Sequence, residues 1–124
     1  MKQISDVMTR QPWTVLLDDS LAVARRMIAE REIRHLPVLD GREVVGMVTE
    51  RDLAAAPDRL GTVADVMVAA HRVPAETPLG DVLDEMTANH WDAVIVTGHH
   101  DVQGIFTATD AVRVLRDLVC EVPR

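Results

Sequence analysis

The chain has 124 residues, of which 13 are Lys or Arg and 20 are Asp or Glu, and its formal net charge is -7 at pH 7. With 48% hydrophobic and 27% charged residues, the composition excludes a disordered chain and is typical of a globular protein. The negative charge disfavours generic nucleic-acid binding. A bound anion therefore needs a local group of donors, such as a helix N-terminus or adjacent Arg and His side chains.

Cysteine content and hydropathy indicate a compartment. Cys120 is the single cysteine, so no intrachain disulfide can form, and the first residues lack the basic and apolar pattern of a secretory signal. No apolar stretch approaches the roughly 18 residues that cross a bilayer. We therefore expect a cytoplasmic protein that reaches a membrane only through a partner, with Cys120 serving packing.

In the first half, a polar cap at Ser20 precedes apolar residues at helical spacing and predicts a helix over about 20–31. The Val- and Leu-rich segments 35–39 and 43–48 flank an Asp-Gly turn, which predicts a β-hairpin. A second helix is predicted to begin near Thr49.

The second half repeats this order. Thr77 is predicted to cap a helix with Pro78 in its first position, and apolar residues follow at the same spacing. The segments 92–97 and 102–107 predict a second hairpin. A longer final helix is predicted over about 108–119.

Two short strings also occur twice, which indicates an internal repeat. The string S-D-V-M at 5–8 recurs as A-D-V-M at 64–67, and G-x-x-T-x-x-D at 46–52 recurs at 104–110. Self-similarity at a fixed period is the mark of a repeated structural unit.

The repeats are predicted to span 1–59 and 60–124, and each has too little apolar surface to be stable alone. The predicted fold class is α/β (α+β), with the two repeats packed face to face about a pseudo-twofold axis. Such packing would place corresponding clefts on either side of the shared interface. The sequence therefore predicts two candidate sites.

The G-x-x-T-x-x-D string lies where a buried strand turns into a helix, and its residues have separate functions. Glycine leaves room for a ligand or a neighbouring backbone, threonine and the helix N–H groups can bond a phosphate, and the carboxylate can accept both hydroxyls of a ribose. Together they predict a ribonucleotide site. The alternative is a capping box, in which the threonine caps the helix and the acid bonds back, and capping can coexist with binding.

Arg34 and His35 open the strand beside the first cleft, where two cation-capable side chains could neutralise a phosphate. The alternative is a solvated Arg34 and a His35 that packs at the strand edge. The equivalent positions of the second half include Asp92 and Ala93, and a carboxylate at Asp92 would repel a phosphate.

The repeated D-V-M, the R-H-L-P-V at 34–38 and both G-x-x-T-x-x-D strings resemble a tandem CBS module, named after cystathionine β-synthase. The resemblance covers nearly the whole chain. It implies a β-α-β-β-α unit in each repeat, a pair of such units, and regulation rather than catalysis. It also implies an adenosine ligand in the clefts: AMP, ADP, ATP or S-adenosylmethionine.

The resemblance also assigns residues by position. Asp52 and Asp110 would hold ribose, the threonines would bond phosphate or ribose oxygens, and the strand before each first helix would line the base. The implied ligand-binding residues of the first repeat are Thr14, Val15, Arg34, His35, Pro37, Thr49 and Asp52. Those of the second repeat are Pro74, Ala75, Thr107 and Asp110.

The second repeat lacks the basic pair and the proline of the first. Its site could therefore take a nucleoside-like ligand such as S-adenosylmethionine, borrow cations from a neighbouring chain, or be empty. Trp13 lies close to the predicted base-lining strand, which would allow it to stack on adenine. His99, His100 and Asp101 contain zinc or nickel ligand types, but adjacent histidines in a turn rarely converge on one ion, and we expect a solvated turn without a bound metal.

The leading hypothesis is a regulatory module that changes shape or partner affinity when an adenosine ligand binds, with no cofactor required. The alternative is a ligand-free interaction module that dimerises through the amphipathic helices at about 20–31 and 108–119, as such paired modules do in forming a disc-like homodimer. An enzyme with Asp52 or Asp110 as base is the third hypothesis. We expect no enzymatic activity, because the sequence contains no P-loop and no nucleophile–base pair.

Overall fold

The structure is a computed structural model that describes residues 2–57, 61–99 and 101–120. It confirms the mixed α/β class, with two small sheets and four α-helices among these residues. In chain order the elements are β1 (Thr9–Arg10), β2 (Val15–Leu16), α1 (Leu21–Arg31), β3 (His35–Asp40), β4 (Glu43–Thr49), α2 (Glu50–Ala55), β5 (Arg72–Pro74), α3 (Leu79–Asn89), β6 (Ala93–Thr97), β7 (Val102–Thr107) and α4 (Ala108–Cys120). Short 3₁₀ turns at Ile4–Asp6 and Val63–Asp65 contain the first two residues of the repeated S/A-D-V-M string, and its Val is the C-cap of each turn.

Contacts divide the chain into two compact units. The central unit is Pro12–Ala70, and the terminal unit combines residues up to Gln11 with those from His71 onward. These units differ from the predicted repeats 1–59 and 60–124 because the segment at the start of each repeat, here called its leading segment, packs in the unit of the other repeat. The first eleven residues belong with the hairpin of the second repeat, and residues 61–70 belong with the hairpin of the first.

The central unit has a three-stranded sheet in the order β2-β3-β4, with β2 parallel to β3 and β3 antiparallel to β4. A bridge between Met47 and Val68 adds the end of the unit to the free edge of β4. Helix α1 begins as predicted, because the Ser20 hydroxyl accepts a hydrogen bond from the Val23 N–H at 3.2 Å. The hydrophobic core of the central unit consists of Val15, Leu21, Ala24, Ile28, Leu36, Val38, Val48, Leu53 and Val63.

The terminal unit has a four-stranded sheet in the order β1-β7-β6-β5, with β1 antiparallel to β7 and β5 parallel to β6. The leading segment is held by backbone bonds, among them the Ile4 N–H to the Thr77 carbonyl at 2.8 Å. The hydrophobic core of the terminal unit consists of Ile4, Met8, Leu79, Val82, Met86, Val94, Val96 and Phe106.

The predicted start of α3 is wrong by one residue. The helix begins at Leu79 with Pro78 as its N-cap, and Thr77 is not the capping residue. Pro78 has an extended ψ of 136°, and its carbonyl accepts the first helical hydrogen bond, from the Val82 N–H at 3.2 Å. Proline has no N–H to leave unpaired, so it can occupy the cap as readily as the first turn.

Among the described residues, no helix is both long enough and apolar enough to cross a bilayer.

Candidate functional site

The predicted polar residues of the first repeat lie at one edge of the central sheet. His35, the first residue of β3, pairs with Thr49, the last residue of β4. The Arg34 carbonyl accepts a hydrogen bond from the Glu50 N–H at 2.9 Å, which fixes Arg34 beside the N-terminus of α2. Arg34 is exposed and His35 is half-buried. The basic pair and the acid of the G-x-x-T-x-x-D string therefore share this edge.

Thr49 and Asp52 form the capping box that was the alternative interpretation of their string. The Thr49 hydroxyl accepts from the Asp52 N–H at 3.1 Å, and Asp52 Oδ2 accepts from the Thr49 N–H at 3.1 Å and from the Thr49 hydroxyl at 2.8 Å. All of these bonds to the carboxylate use one oxygen. Capping therefore leaves half of the carboxylate for another partner.

The second oxygen, Asp52 Oδ1, accepts no hydrogen bond from any residue in the described part of the chain. The residue is half-buried, so the oxygen is reachable without being fully solvated. A carboxylate oxygen in this state can accept the hydroxyl groups of a sugar. The Arg34 guanidinium likewise makes no hydrogen bond or ion pair within the described residues.

The other predicted residues of the first repeat lie in or beside the sheet. Val15 and Pro37 are fully buried in β2 and β3, so their side chains serve the core and present no surface to a ligand. Thr14 is half-buried and precedes β2 at the same edge as His35.

Trp13 is 48% exposed, and one face of its ring is covered by the Arg31 guanidinium, 4.0 Å from the ring centroid. Only its other face remains for an adenine.

The second G-x-x-T-x-x-D string forms the same capping box. Asp110 Oδ2 accepts from the Thr107 N–H at 2.9 Å and from the Thr107 hydroxyl at 3.2 Å. Here the other oxygen is also bonded, because Oδ1 accepts from the Thr9 hydroxyl at 3.1 Å and from Nη1 of Arg113 at 2.7 Å. Asp110 is 3% exposed. Both of its carboxylate oxygens are therefore occupied by the protein.

The register identifies the residue that replaces Arg34 in the second repeat. The Asp92 carbonyl accepts a hydrogen bond from the Ala108 N–H at 2.8 Å, and this bond matches the one from Glu50 to the Arg34 carbonyl. The next residue, Ala93, pairs with Thr107, just as His35 pairs with Thr49. Asp92 thus occupies the Arg34 position and places a negative side chain at this edge of the terminal sheet.

The structure does not bring Pro74 and Ala75 together with Thr107 and Asp110. Pro74 pairs with Thr97 at the far end of β6, and the Ala75 carbonyl bonds to the leading segment. The glycine of each string gives the register. In the first repeat, Val15 pairs with the residue of β3 that lies opposite Gly46. In the second repeat, Val73 pairs with the residue of β6 that lies opposite Gly104. Arg72 and Val73 are therefore the equivalents of Thr14 and Val15, and the predicted residues Pro74 and Ala75 lie two positions further toward the C-terminus.

Both glycines of the strings are explained by a neighbouring backbone. A Cβ on Gly46 would lie 2.9 Å from the Val68 carbonyl oxygen, and one on Gly104 would lie 2.8 Å from the Thr9 carbonyl oxygen. Neither contact tolerates a methyl group, because real Cβ atoms do not approach so closely. The glycines therefore let the exchanged leading segments pack against the hairpins.

Comparison with known proteins identifies the family. The sequence matches the CBS domain over residues 4–59 and 63–117. The chain belongs to the CBS-domain family. It contains two CBS domains in tandem, as its internal repeat predicted.

Similar proteins from archaea are longer than this chain. The uncharacterized protein MJ1232 of Methanocaldococcus jannaschii is 27% identical over 119 residues, which cover 91% of this chain and 39% of that protein. Inosine-5'-monophosphate dehydrogenase of the same organism is 30% identical over 118 residues, 91% of this chain and 23% of the enzyme. The chain thus spans less than half the length of these relatives.

Solved CBS structures superpose over nearly the whole chain. A putative acetoin utilization protein (AcuB) from Vibrio cholerae gives a TM-score of 0.89 at 26% identity, covering 100% of this chain and 99% of that one. CBSX2 in complex with AMP gives 0.85 at 22% identity, covering 96% and 99%. The CBS pair of MJ0100, in complex with 5'-methylthioadenosine and S-adenosyl-L-methionine, gives 0.84 at 22% identity, covering 95% and 98%.

Thr9 and Arg113 determine the state of the second CBS motif and were not predicted from the sequence. Thr9 follows the repeated D-V-M, and Arg113 lies one helical turn after Asp110. The i, i+3 spacing of Asp110 and Arg113 was a usable signal for their ion pair. The contact with Thr9 had no local signal, because it joins residues 101 positions apart.

The predicted metal-ligand types do not form a cluster in the described residues. Across 2–57, 61–99 and 101–120, no group of three or more His, Cys, Asp or Glu side chains is arranged to hold an ion. His99 is exposed, and His100 lies outside the described residues.

Proposed function

We propose that this CBS pair is a regulatory module that binds an adenosine ligand at Asp52 and thereby modulates a partner protein. The observation that carries the proposal is that Asp52 Oδ1 accepts no hydrogen bond from the described residues, at the sheet edge that also holds Arg34 and His35. A carboxylate for the ribose beside cation-capable side chains for phosphate is the donor and acceptor set of a nucleotide site.

The ligand class is AMP, ADP, ATP or S-adenosylmethionine. The complexes of CBSX2 with AMP and of MJ0100 with 5'-methylthioadenosine and S-adenosyl-L-methionine support this class, since all of these ligands contain adenosine. Thr14, which precedes the edge strand β2, is proposed to line the base through its backbone, because peptide groups on the open side of an edge strand have no strand partner.

The role is proposed to be non-catalytic and the location cytoplasmic. The site groups donate and accept hydrogen bonds and carry charge, and within the described residues the bonds to the Asp52 carboxylate come from Thr49 of its capping box. AMP recovered unchanged after long incubation with the protein would support binding without turnover. Conversion of AMP to a product would contradict it.

The experiment that tests the proposed site is isothermal titration of the four ligands into the wild-type chain and an Asp52→Ala variant. Asp65→Ala is the matched control, because Asp65 closes the same kind of capping box with Thr62 on a 3₁₀ turn away from the sheet edge. We expect binding by the wild type and the control, and a loss of about tenfold or more in affinity for Asp52→Ala, as for a hydrogen bond to a charged group. Equal losses in both variants, or no binding of any ligand by folded wild-type protein, would contradict the proposal.

A second candidate function, self-association as an interaction module, is favoured by the outer face of α4. Val112, Leu115 and Val119 recur at helical spacing and are 65%, 58% and 70% exposed. Apolar side chains of this size in a contiguous row are typical of a buried helix interface. We propose a homodimer that uses this face, with or without a bound ligand, and light scattering after gel filtration measures its mass.

A further inference from the structure

The two CBS motifs share a capping box but differ at the remaining carboxylate oxygen. Asp52 Oδ1 accepts no hydrogen bond from the described residues, whereas Asp110 Oδ1 accepts from Thr9 and from Arg113. We infer that Thr9 and Arg113 take the place of a ribose at the second motif, so that each chain binds one adenosine ligand, at Asp52. This inference rests on the proposed function.

The difference can be traced to two pairs of equivalent positions. Thr9 pairs with Ile105, the residue that follows the glycine of the second string. Val68 pairs with Met47, the residue that follows the glycine of the first string. Val68 is therefore the counterpart of Thr9. Ala55 ends α2 three residues after Asp52 and is the counterpart of Arg113. Valine and alanine side chains have no hydrogen-bond donor. The first motif therefore lacks both of the groups that satisfy the second.

The arrangement at Asp110 has the chemistry of a bound ligand. A ribose would present hydroxyl donors to the carboxylate, and Thr9 presents such a hydroxyl at 3.1 Å. Arg113 adds a charge-assisted bond at 2.7 Å, and the carboxylate is almost completely buried. A ribose hydroxyl at this oxygen would have to displace one of these groups, whereas at Asp52 Oδ1 it would displace no group of the described residues.

The side chains at the Arg34 position of the two motifs act in the same direction. The edge with Asp52 carries Arg34 and His35, and the edge with Asp110 carries Asp92 at the Arg34 position. A nucleotide phosphate is attracted to the first edge and repelled by Asp92 at the second. Of the three alternatives that the sequence left open for the second repeat, the bonded Asp110 carboxylate and Asp92 favour a site that stays empty.

The experiment transfers the second arrangement to the first motif. The double variant Val68→Thr with Ala55→Arg places a hydroxyl and a guanidinium at the positions that serve Asp110. Both residues are exposed, so the substitutions do not disturb the core. Val68→Ala with Ala55→Met is the matched control. It changes the same two positions and lengthens the side chain at 55 without adding a hydrogen-bond donor.

Isothermal titration with AMP gives stoichiometry and affinity for the wild type and both variants. We expect one AMP per wild-type chain, a loss of about tenfold or more in affinity for the Val68→Thr, Ala55→Arg variant, and a change of less than about threefold for the control. Two AMP per wild-type chain, or wild-type affinity in the Val68→Thr, Ala55→Arg variant, would overturn the inference while the proposed function stands. No binding to the wild type by AMP or the other three ligands would remove the proposed function and the inference together.

Discussion

The Thr9 hydroxyl donates a hydrogen bond of 3.1 Å to Asp110 Oδ1, and this bond joins β1 to the first turn of α4. It connects residues 101 positions apart within the terminal unit. The bond belongs to a cluster in which every oxygen of the Asp110 carboxylate is satisfied, as expected for a charge that is almost wholly removed from water.

Thr9→Val should destabilise the protein because it removes a donor from a buried carboxylate while keeping the shape of the side chain. We expect a loss of about 1–1.5 kcal/mol in the free energy of unfolding, measured by urea denaturation. Thr109→Val is the control, since Thr109 is exposed on α4 and its side chain bonds to no described residue. An unchanged midpoint for Thr9→Val would show that the bond does not contribute.

Gly104→Ala should also destabilise the terminal unit. A methyl group there would lie 2.8 Å from the Thr9 carbonyl oxygen, which belongs to the backbone and cannot rotate away. Overpacking of this kind costs about 1–3 kcal/mol. Gly80→Ala is the contrasting control, because nothing lies within 4 Å of a Cβ at this helical position, and it should stabilise by about 0.5–1 kcal/mol. The two alanines are therefore expected to shift the melting temperature in opposite directions.

Arg34→Ala should weaken AMP binding by about three- to tenfold, since an exposed guanidinium contributes a screened charge interaction with phosphate. Binding of adenosine, which has no phosphate, should change little. The control is Arg42→Ala, which alters the net charge equally but lies in the hairpin turn at the opposite end of β3 and β4. If Arg42→Ala has the same effect on AMP, or if adenosine is weakened as much, Arg34 does not contact the phosphate.

Leu115→Glu should reduce self-association by placing a charge on the exposed apolar face of α4. We expect the dimer dissociation constant to rise by about tenfold or more, because a carboxylate buried in an apolar interface without a partner is costly. Analytical ultracentrifugation over a range of protein concentrations measures the change. Thr87→Glu adds the same charge on α3 and should leave the association unchanged, so an equal effect would indicate net charge rather than a specific surface.

The repeat made most of the fold predictable from the sequence. Apolar spacing after Ser20 located α1, and the Val-rich segments located both hairpins, because these patterns depend on local geometry. The start of α3 was missed by one residue because proline is compatible both with the cap and with the first turn. The exchange of leading segments was not predictable, since no local pattern states which hairpin a distant strand will join.

The candidate site was predictable in its residue types but not in their state. The G-x-x-T-x-x-D string located both capping boxes, yet the second carboxylate oxygens differ because Thr9 and Arg113 donate to Asp110, whereas Val68 and Ala55 at the equivalent positions have no side-chain donor. Thr9 could not be found locally, because it lies 101 positions from Asp110. The equivalence of Pro74 and Ala75 with Thr14 and Val15 was wrong, because β5 has three residues and no alternating pattern to set its register. Counting back from Gly104 by the distance between Gly46 and Val15 would have found Val73.

The exchange of leading segments has a consequence for how such a chain could have arisen by duplication. Ile4 and Val63, one from each leading segment, are completely buried in units built around the other repeat's hairpin. A single-repeat ancestor would have left its own hairpin without this segment, and a second copy would have been needed to supply it. The packing seen in this chain would correspond, in such an ancestor, to a homodimer that exchanges its leading segments, and fusion of two copies would join the exchanged segments in one polypeptide.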